Sequence, residues 1–216
     1  MKENKFKKVK RKFNYLITTP FRNKKNKKNL LEAIKQKKEI KLILGSADIP
    51  TEKGWYATDK GFLDICKEKD WEKLFKNKNS VKKILAEHVF EHITLNKVKI
   101  ALKNIYSFLN SEGRIRIAVP DGFNPSKEYI EYVKVKGKGP GAKDHKILYT
   151  FRGLKKILKE AKFEVKPVEW FDKKGQFHKI NWDEKDDKIT RSSKFGVPNK
   201  TFAPSHLSLI VDGVKK

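Results

Sequence analysis

His88, Glu91 and His92 stand as His-x-x-Glu-His within Glu87-His88-Val89-Phe90-Glu91-His92. On a helix, His88 and His92 would share a face four residues apart. They could then hold zinc with Glu91 as base, which is the inverted zinc-peptidase pattern. The run follows directly on an apolar strand, however, and no later acidic ligand accompanies it. The peptidase is therefore the remote reading, and no metal is expected. Imidazole is the side chain suited to proton transfer near neutral pH. His88 and His145 are accordingly candidate bases, with Asp121 in Val119-Pro120-Asp121 as a third. The plainer readings are a loop residue for His145 and a turn residue for Asp121.

A second constellation lies upstream. Leu44-Gly45-Ser46-Ala47-Asp48 offers a glycine that permits close backbone approach, followed by two small residues, and Asp59 comes fourteen residues after Gly45. In nucleotide-binding α/β folds an acidic residue at the end of the second strand accepts hydrogen bonds from ribose hydroxyls. The same residues also suit an ordinary β-turn and a surface aspartate.

The elements that must carry these groups alternate in type. Leu30, Leu31 and Ile34 suggest a short helix leading into a strand at Ile40–Leu44, and Trp55–Thr58 and Val81–Ala86 suggest two more strands. Val98, Ala101, Leu102, Ile105, Phe108 and Leu109 have helical spacing, and Gly113 is placed to end that helix. Arg114–Val119 reads as a strand stopped by Pro120. A loop rich in Gly and Lys covers 134–144, and Thr150 is a plausible N-cap for a helix through Phe151, Leu154, Ile157, Leu158 and Ala161. Phe163–Val165 and Leu207–Val211 close the set. This alternation predicts an α/β fold with a mostly parallel sheet, in which ligands bind beyond the carboxyl ends of the strands.

Composition bounds the partners. The chain has 216 residues, enough for one sizeable domain, and its single cysteine, Cys66, cannot form an intramolecular disulfide. No apolar run is long enough for a membrane span, and a cytoplasmic setting is expected. The net charge is +26, yet only six of the 52 basic residues are arginine, the residue favoured for bidentate phosphate contacts. Residues 1–41 hold 16 Lys/Arg against three Glu. They read as a solvated segment, with weak attraction to RNA or to an anionic membrane surface as the alternative. A basic N-terminal arm over 1–28, outside the cofactor pocket, and a single domain over 29–216 are expected. Within that domain, 170–202 carries Phe171, Phe177, His178, Trp182 and Phe195 without clear periodicity. This stretch reads as a substrate-covering insertion or as packing for the domain's own edge.

Taken in order, Leu44-Gly45-Ser46-Ala47, Gly54-Trp55-Tyr56-Ala57-Thr58-Asp59, Phe90-Glu91-His92-Ile93, Ser111-Glu112-Gly113 and Val119-Pro120-Asp121 resemble the class I S-adenosylmethionine-dependent methyltransferases of the type 11 class. His145, Glu160-Ala161-Lys162-Phe163 and Ser208-Leu209-Ile210-Val211-Asp212 look similar to that family's later segments. The resemblance implies a Rossmann-like fold with helices on both faces of the sheet and a final antiparallel strand. It also implies S-adenosylmethionine as cofactor and methyl transfer to a small-molecule or glycan-type acceptor. Gly45, Ser46 and Ala47 would then line the methionine end, Asp59 would hold the ribose, and Asp64 and Ile65 would sit near the adenine. Glu87 and His88 would flank the sulfonium and the acceptor. Ala47 stands where the family has its second glycine, and its methyl group would crowd the cofactor. An RNA-directed enzyme and a non-catalytic cofactor-binding or scaffolding module are the alternatives.

Overall fold

The computed structural model describes residues 5–46, 54–183, 189–194 and 207–216, with only the helical backbone described for 5–17. Ala47 and Phe195, and with them parts of the 170–202 stretch, lie outside these residues.

The strands are β1 (Lys41–Ile43), β2 (Trp55–Ala57), β3 (Val81–Glu87), β4 (Leu109–Pro120), β5 (Glu164–Phe171), β6 (Phe177–Lys179) and β7 (Ser208–Val214). They form one sheet in the order β2-β1-β3-β4-β7-β5-β6. β2, β1, β3 and β4 pair in parallel, and β7 runs antiparallel between β4 and β5. β6 adds an antiparallel edge hairpin to β5. The fold is thus Rossmann-like, mostly parallel, with a reversed final strand, as expected. The path turns left from β1 to β2 and then right across β1 to β3. The topological switch point therefore lies between β1 and β3, where ligands bind in such sheets.

Strand alternation divides the core. Leu42, Leu44, Ile84, Ala86, Ile115, Ile117, Val119, Leu209 and Val211 face a large cluster. That cluster includes buried residues of α1 (Lys5–Lys35), α2 (Glu68–Leu74), α3 (Leu95–Phe108) and α5 (Phe151–Glu160). Trp71 of α2 is fully buried, stacks on Phe108 with ring centroids 5.4 Å apart, and donates its indole N–H to the Ile65 carbonyl at 3.2 Å. The opposite face carries Ile43, Leu85, Ala118, Val168 and Ile210, with Trp55, Ile189 and Trp182 packed among them. Among the described residues, the segment between β6 and β7 covers this face where helical cover was expected. Part of the 170–202 stretch therefore packs the domain itself.

Local chemistry accounts for most element ends. Thr150 caps α5 by accepting from Gly153 N at 3.3 Å, as the sequence suggests. Ser126 does the same for α4 (Lys127–Val133), accepting from Tyr129 N at 3.1 Å. α3 ends at Phe108, and it is Glu112 that adopts the left-handed conformation, with φ 58°. Gly113 is needed for space instead, since a Cβ there would stand 2.7 Å from the Asn110 carbonyl.

α1 departs most from expectation. It runs unbroken from Lys5 to Lys35 through Pro20, so residue 28 falls inside a helix. Leu30 and Ala33 are buried, whereas Leu31 is 40% exposed. No helix among the described residues is long and apolar enough to cross a membrane.

Candidate active site

Two groups of polar side chains sit at the carboxyl ends of the parallel strands, on either side of the switch point. At the end of β1, Gly45 has φ 57°, and a Cβ there would approach Val89 Cγ2 to 3.0 Å. A glycine is needed on both counts. Ser46 is buried, and its N–H donates to the Thr58 carbonyl at 3.2 Å, which ties the two strand ends together. Asp59 follows β2 and accepts from Gly61 N at 3.2 Å through Oδ1. Its Oδ2 lies 3.9 Å from Arg22 of α1. Thr19, Arg22 and Asn23 share one face of α1 by their spacing, and Asn23 also reaches Gly61. Residues 1–28 are expected to stay apart from the cofactor pocket, yet α1 stands beside Asp59, the residue expected to hold the ribose. The cause is helical continuity, since a rigid helix anchored at Leu30 carries this face over the end of β2.

The fit of a nucleoside here rests on these atoms. Thr19 Oγ1 and Asn23 Oδ1 are buried without a hydrogen-bond partner, and leaving such groups unpaired costs roughly 1–3 kcal/mol each. A ligand bearing hydroxyl and amino donors beside Asp59 would satisfy them. The residues present suit a nucleoside moiety. Asp64 and Ile65, expected near the adenine, follow in the loop after β2. Asp64 Oδ1 accepts from Cys66 N at 3.1 Å, and the Ile65 carbonyl accepts from Trp71 and Asn104. These bonds shape the turn leading into α2.

The second group surrounds a cavity of about 130 Å³ lined by His88, Glu91, His92, Tyr129, His145 and Arg191, among others. His88 has φ 56° and is followed by a single 3-10 turn, Phe90–His92. The zinc-peptidase geometry is thereby lost, because His88 and His92 do not share a face of one α-helix. His88 Nδ1 lies 2.8 Å from Glu91 Oε1, and Nε2 lies 3.2 Å from Ser208 Oγ and 3.3 Å from Arg191 Nη1. A guanidinium can only donate, so His88 carries its proton on Nδ1 and gives it to Glu91. Both nitrogens are thus engaged. Glu87, expected beside the sulfonium, accepts from Thr190 N and Arg191 N, each at 3.1 Å. It carries Arg191 to the cavity.

His145 is buried and donates Nδ1–H to the Val133 carbonyl at 2.7 Å, so its Nε2 lone pair is open to the cavity. His92 meets it edge to face with centroids 4.8 Å apart, and burial pushes the His92 pKa down. Glu91 is fully buried. Burial acts to raise its pKa, but the hydrogen bond from His88 and the other groups around it outweigh that and hold it below the ordinary carboxylate value. The strand ends thus gather His88, Glu91, His92 and His145. Arg191 and Tyr129 were missed because neither stands in a recognisable motif. The Ser126 cap was the available signal for the helix that carries Tyr129.

Asp121, the third candidate base, is held by backbone N–H groups. Its carboxylate is fully buried and accepts from Phe123 N at 2.9 Å and Phe171 N at 2.8 Å, joining the ends of β4 and β5. Burial pushes its pKa up from 3.8 to about 6, against the pull of those two N–H groups. The folded chain therefore holds a proton that the unfolded chain has lost. This contribution to stability is complete at low pH and disappears as pH rises through about 6, by about 3 kcal/mol. In Asp121→Asn this pH dependence is absent. Urea unfolding from pH 4 to 7 should show the variant gaining on wild type by about 2 kcal/mol of that amount, and a constant gap would refute the assignment.

No protein-family model and no curated protein matches the sequence. Solved structures with a similar chain path include an S-adenosylmethionine-dependent methyltransferase from Archaeoglobus fulgidus, at 17% identity and TM-score 0.48, covering 94% of this chain and 100% of that one. Another, from Thermotoga maritima, has 14% identity and TM-score 0.46, with 85% and 76% covered. A third, from Methanosarcina mazei, has 8% identity and TM-score 0.47, with 82% and 92% covered. The fold class itself rests on the strand order and directions given above.

Proposed function

We propose that this chain is an S-adenosylmethionine-dependent methyltransferase acting on a small-molecule or glycan-type acceptor. The observation that carries this reading is the pairing of two sites on one edge of the sheet. A nucleoside-compatible wall of Asp59, Thr19 and Asn23 lies at the end of β2, and a histidine-lined cavity lies beyond β3 and β4, with Gly45 and Val89 in close approach between them. When bound, S-adenosylmethionine supplies an electrophilic methyl group, and the protein's task is chiefly positioning. Asp59 would accept from the ribose hydroxyls, and Gly45 and Ser46 would border the methionine end. Arg191, held by Glu87 and His88, would orient a polar acceptor in the cavity. Of the three expected bases, His145 would serve through Nε2, which the Nδ1–H bond to the Val133 carbonyl leaves as the acceptor nitrogen. The cavity, at about 130 Å³, admits one functional group rather than a polymer.

Incubation with methyl-labelled S-adenosylmethionine and pooled small metabolites and oligosaccharides tests this. Label should pass to one acceptor class, and His145→Gln should reduce transfer at least a hundredfold with cofactor affinity within twofold of wild type. Label found only on RNA would replace the acceptor assignment. Equal transfer by the variant would remove His145 from the site.

A further inference from the structure

We propose that Glu91, His92 and His145 form a binding site for one divalent first-row transition-metal ion, using Glu91 Oε2 and one nitrogen of each imidazole. The three offer ligand atoms within 4.8 Å of one another, although His145 comes from a loop remote in sequence from the other two. Two further features point to a cation. Glu91 is fully buried, with Oε1 engaged by His88 Nδ1 at 2.8 Å, while Oε2 is buried with no hydrogen-bond partner. A buried carboxylate whose second oxygen is unpaired is costly to keep, and a cation offsets that cost directly. His145 is also held as ligating histidines are, since Nδ1–H donates to the Val133 carbonyl at 2.7 Å and fixes Nε2 as the free donor. His88 stands in the supporting role towards Glu91. This set shares only Glu91 and His92 with the zinc-peptidase pattern, and His88 is no ligand in it.

Two imidazoles and a carboxylate, with no thiolate, suit zinc, iron(II) or manganese and leave coordination positions open. Those positions would border the cavity shared with Tyr129 and Arg191; a bound ion would occupy the His145 Nε2 lone pair, so His145 serves as a base only in the metal-free protein. The separation of 4.8 Å exceeds the roughly 3.4 Å expected between ligands of a tetrahedral site with bonds near 2.1 Å. Loading therefore draws the three together by about 1 Å. The proposal does not depend on the methyltransferase reading, because the Asp59 wall contributes nothing to it.

The test uses the full chain, stripped with a chelator and titrated with zinc against a chromophoric competitor. X-ray absorption on the loaded protein counts the imidazole ligands. One zinc per chain and two imidazoles are expected. His92→Gln, which alters a part-exposed side chain, should weaken binding at least a hundredfold with an unchanged circular dichroism spectrum. Glu91→Gln and His145→Gln should do the same wherever they fold. His178→Gln, which removes the imidazole paired with Asp172 at 2.9 Å, should leave binding intact. Absence of stoichiometric zinc in wild type overturns the site, as does retention in His92→Gln or loss in His178→Gln. S-adenosylmethionine affinity of the stripped protein, read separately, shows whether the methyltransferase reading stands or falls on its own.

Discussion

Asp59→Ala should weaken S-adenosylmethionine binding by at least tenfold, while leaving the unfolding midpoint near that of wild type. The carboxylate has one oxygen on Gly61 N at 3.2 Å and the other 3.9 Å from Arg22. Its structural engagement is slight, and its capacity to accept from ribose hydroxyls is correspondingly large. Hydrogen bonds to a charged group contribute roughly 1.5–3 kcal/mol each, so losing even one weakens binding by roughly tenfold to 150-fold, and losing two by more. Asn23→Leu should act in the same direction and more weakly, because Asn23 Oδ1 is buried and unpaired beside the same wall. An Asp59→Ala protein that binds as wild type does would place the ribose elsewhere.

The second large effect concerns the strand that completes the site. Asp212→Ala should destabilise the fold by about 3 kcal/mol, since it strands the buried Arg116 guanidinium. Arg116 is 1% exposed and makes a bidentate pair with Asp212 at 2.7 and 2.8 Å, and Arg114 joins at 3.1 Å. The estimate sits at the low end of the range for a broken buried pair because Arg116 also stacks over Trp182, 4.6 Å from its ring centroid. Replacing both partners, as Arg116→Met with Asp212→Leu, should recover much of the loss. Urea unfolding of the single and double variants decides it: a loss below 1 kcal/mol, or a double variant no better than the single, contradicts the argument.

The consequence reaches the active site through register. Arg116 and Asp212 lie directly opposite on β4 and β7, and the same register places Ser208 opposite Pro120. A slip by one residue would turn Asp212 into the apolar face and carry Ser208 Oγ away from His88. The ion pair thus fixes the end of β7 that supports His88.

Elements with a clear period were legible in the sequence. Val98, Ala101, Leu102, Ile105 and Phe108 announce α3, and the closing strand at Ser208–Asp212 lies where its resemblance put it. α2 is only Glu68–Leu74, too short for its pattern of Trp71 and Leu74 to stand out. α1 was obscured by Pro20 and by a lysine-rich surface, so its continuity and its wall against Asp59 could not be read from composition. In the site, Gly45, Asp59, His88 and His145 were chosen on type and position, and the structure puts each at a strand end or in the cavity. What they do there depends on partners distant in sequence. Asp121 accepts from Phe171 N fifty residues away, and His88 Nε2 meets Ser208 and Arg191 more than a hundred residues away. No spacing rule within one segment conveys such contacts.

The central claim is a pocket for S-adenosylmethionine at the ends of β1 and β2. Calorimetric titration of the full wild-type chain with S-adenosylmethionine and with S-adenosylhomocysteine tests it directly. The account predicts saturable binding of both at one site per chain, lost or strongly weakened in Asp59→Ala. Wild-type protein that is folded and binds neither would contradict it.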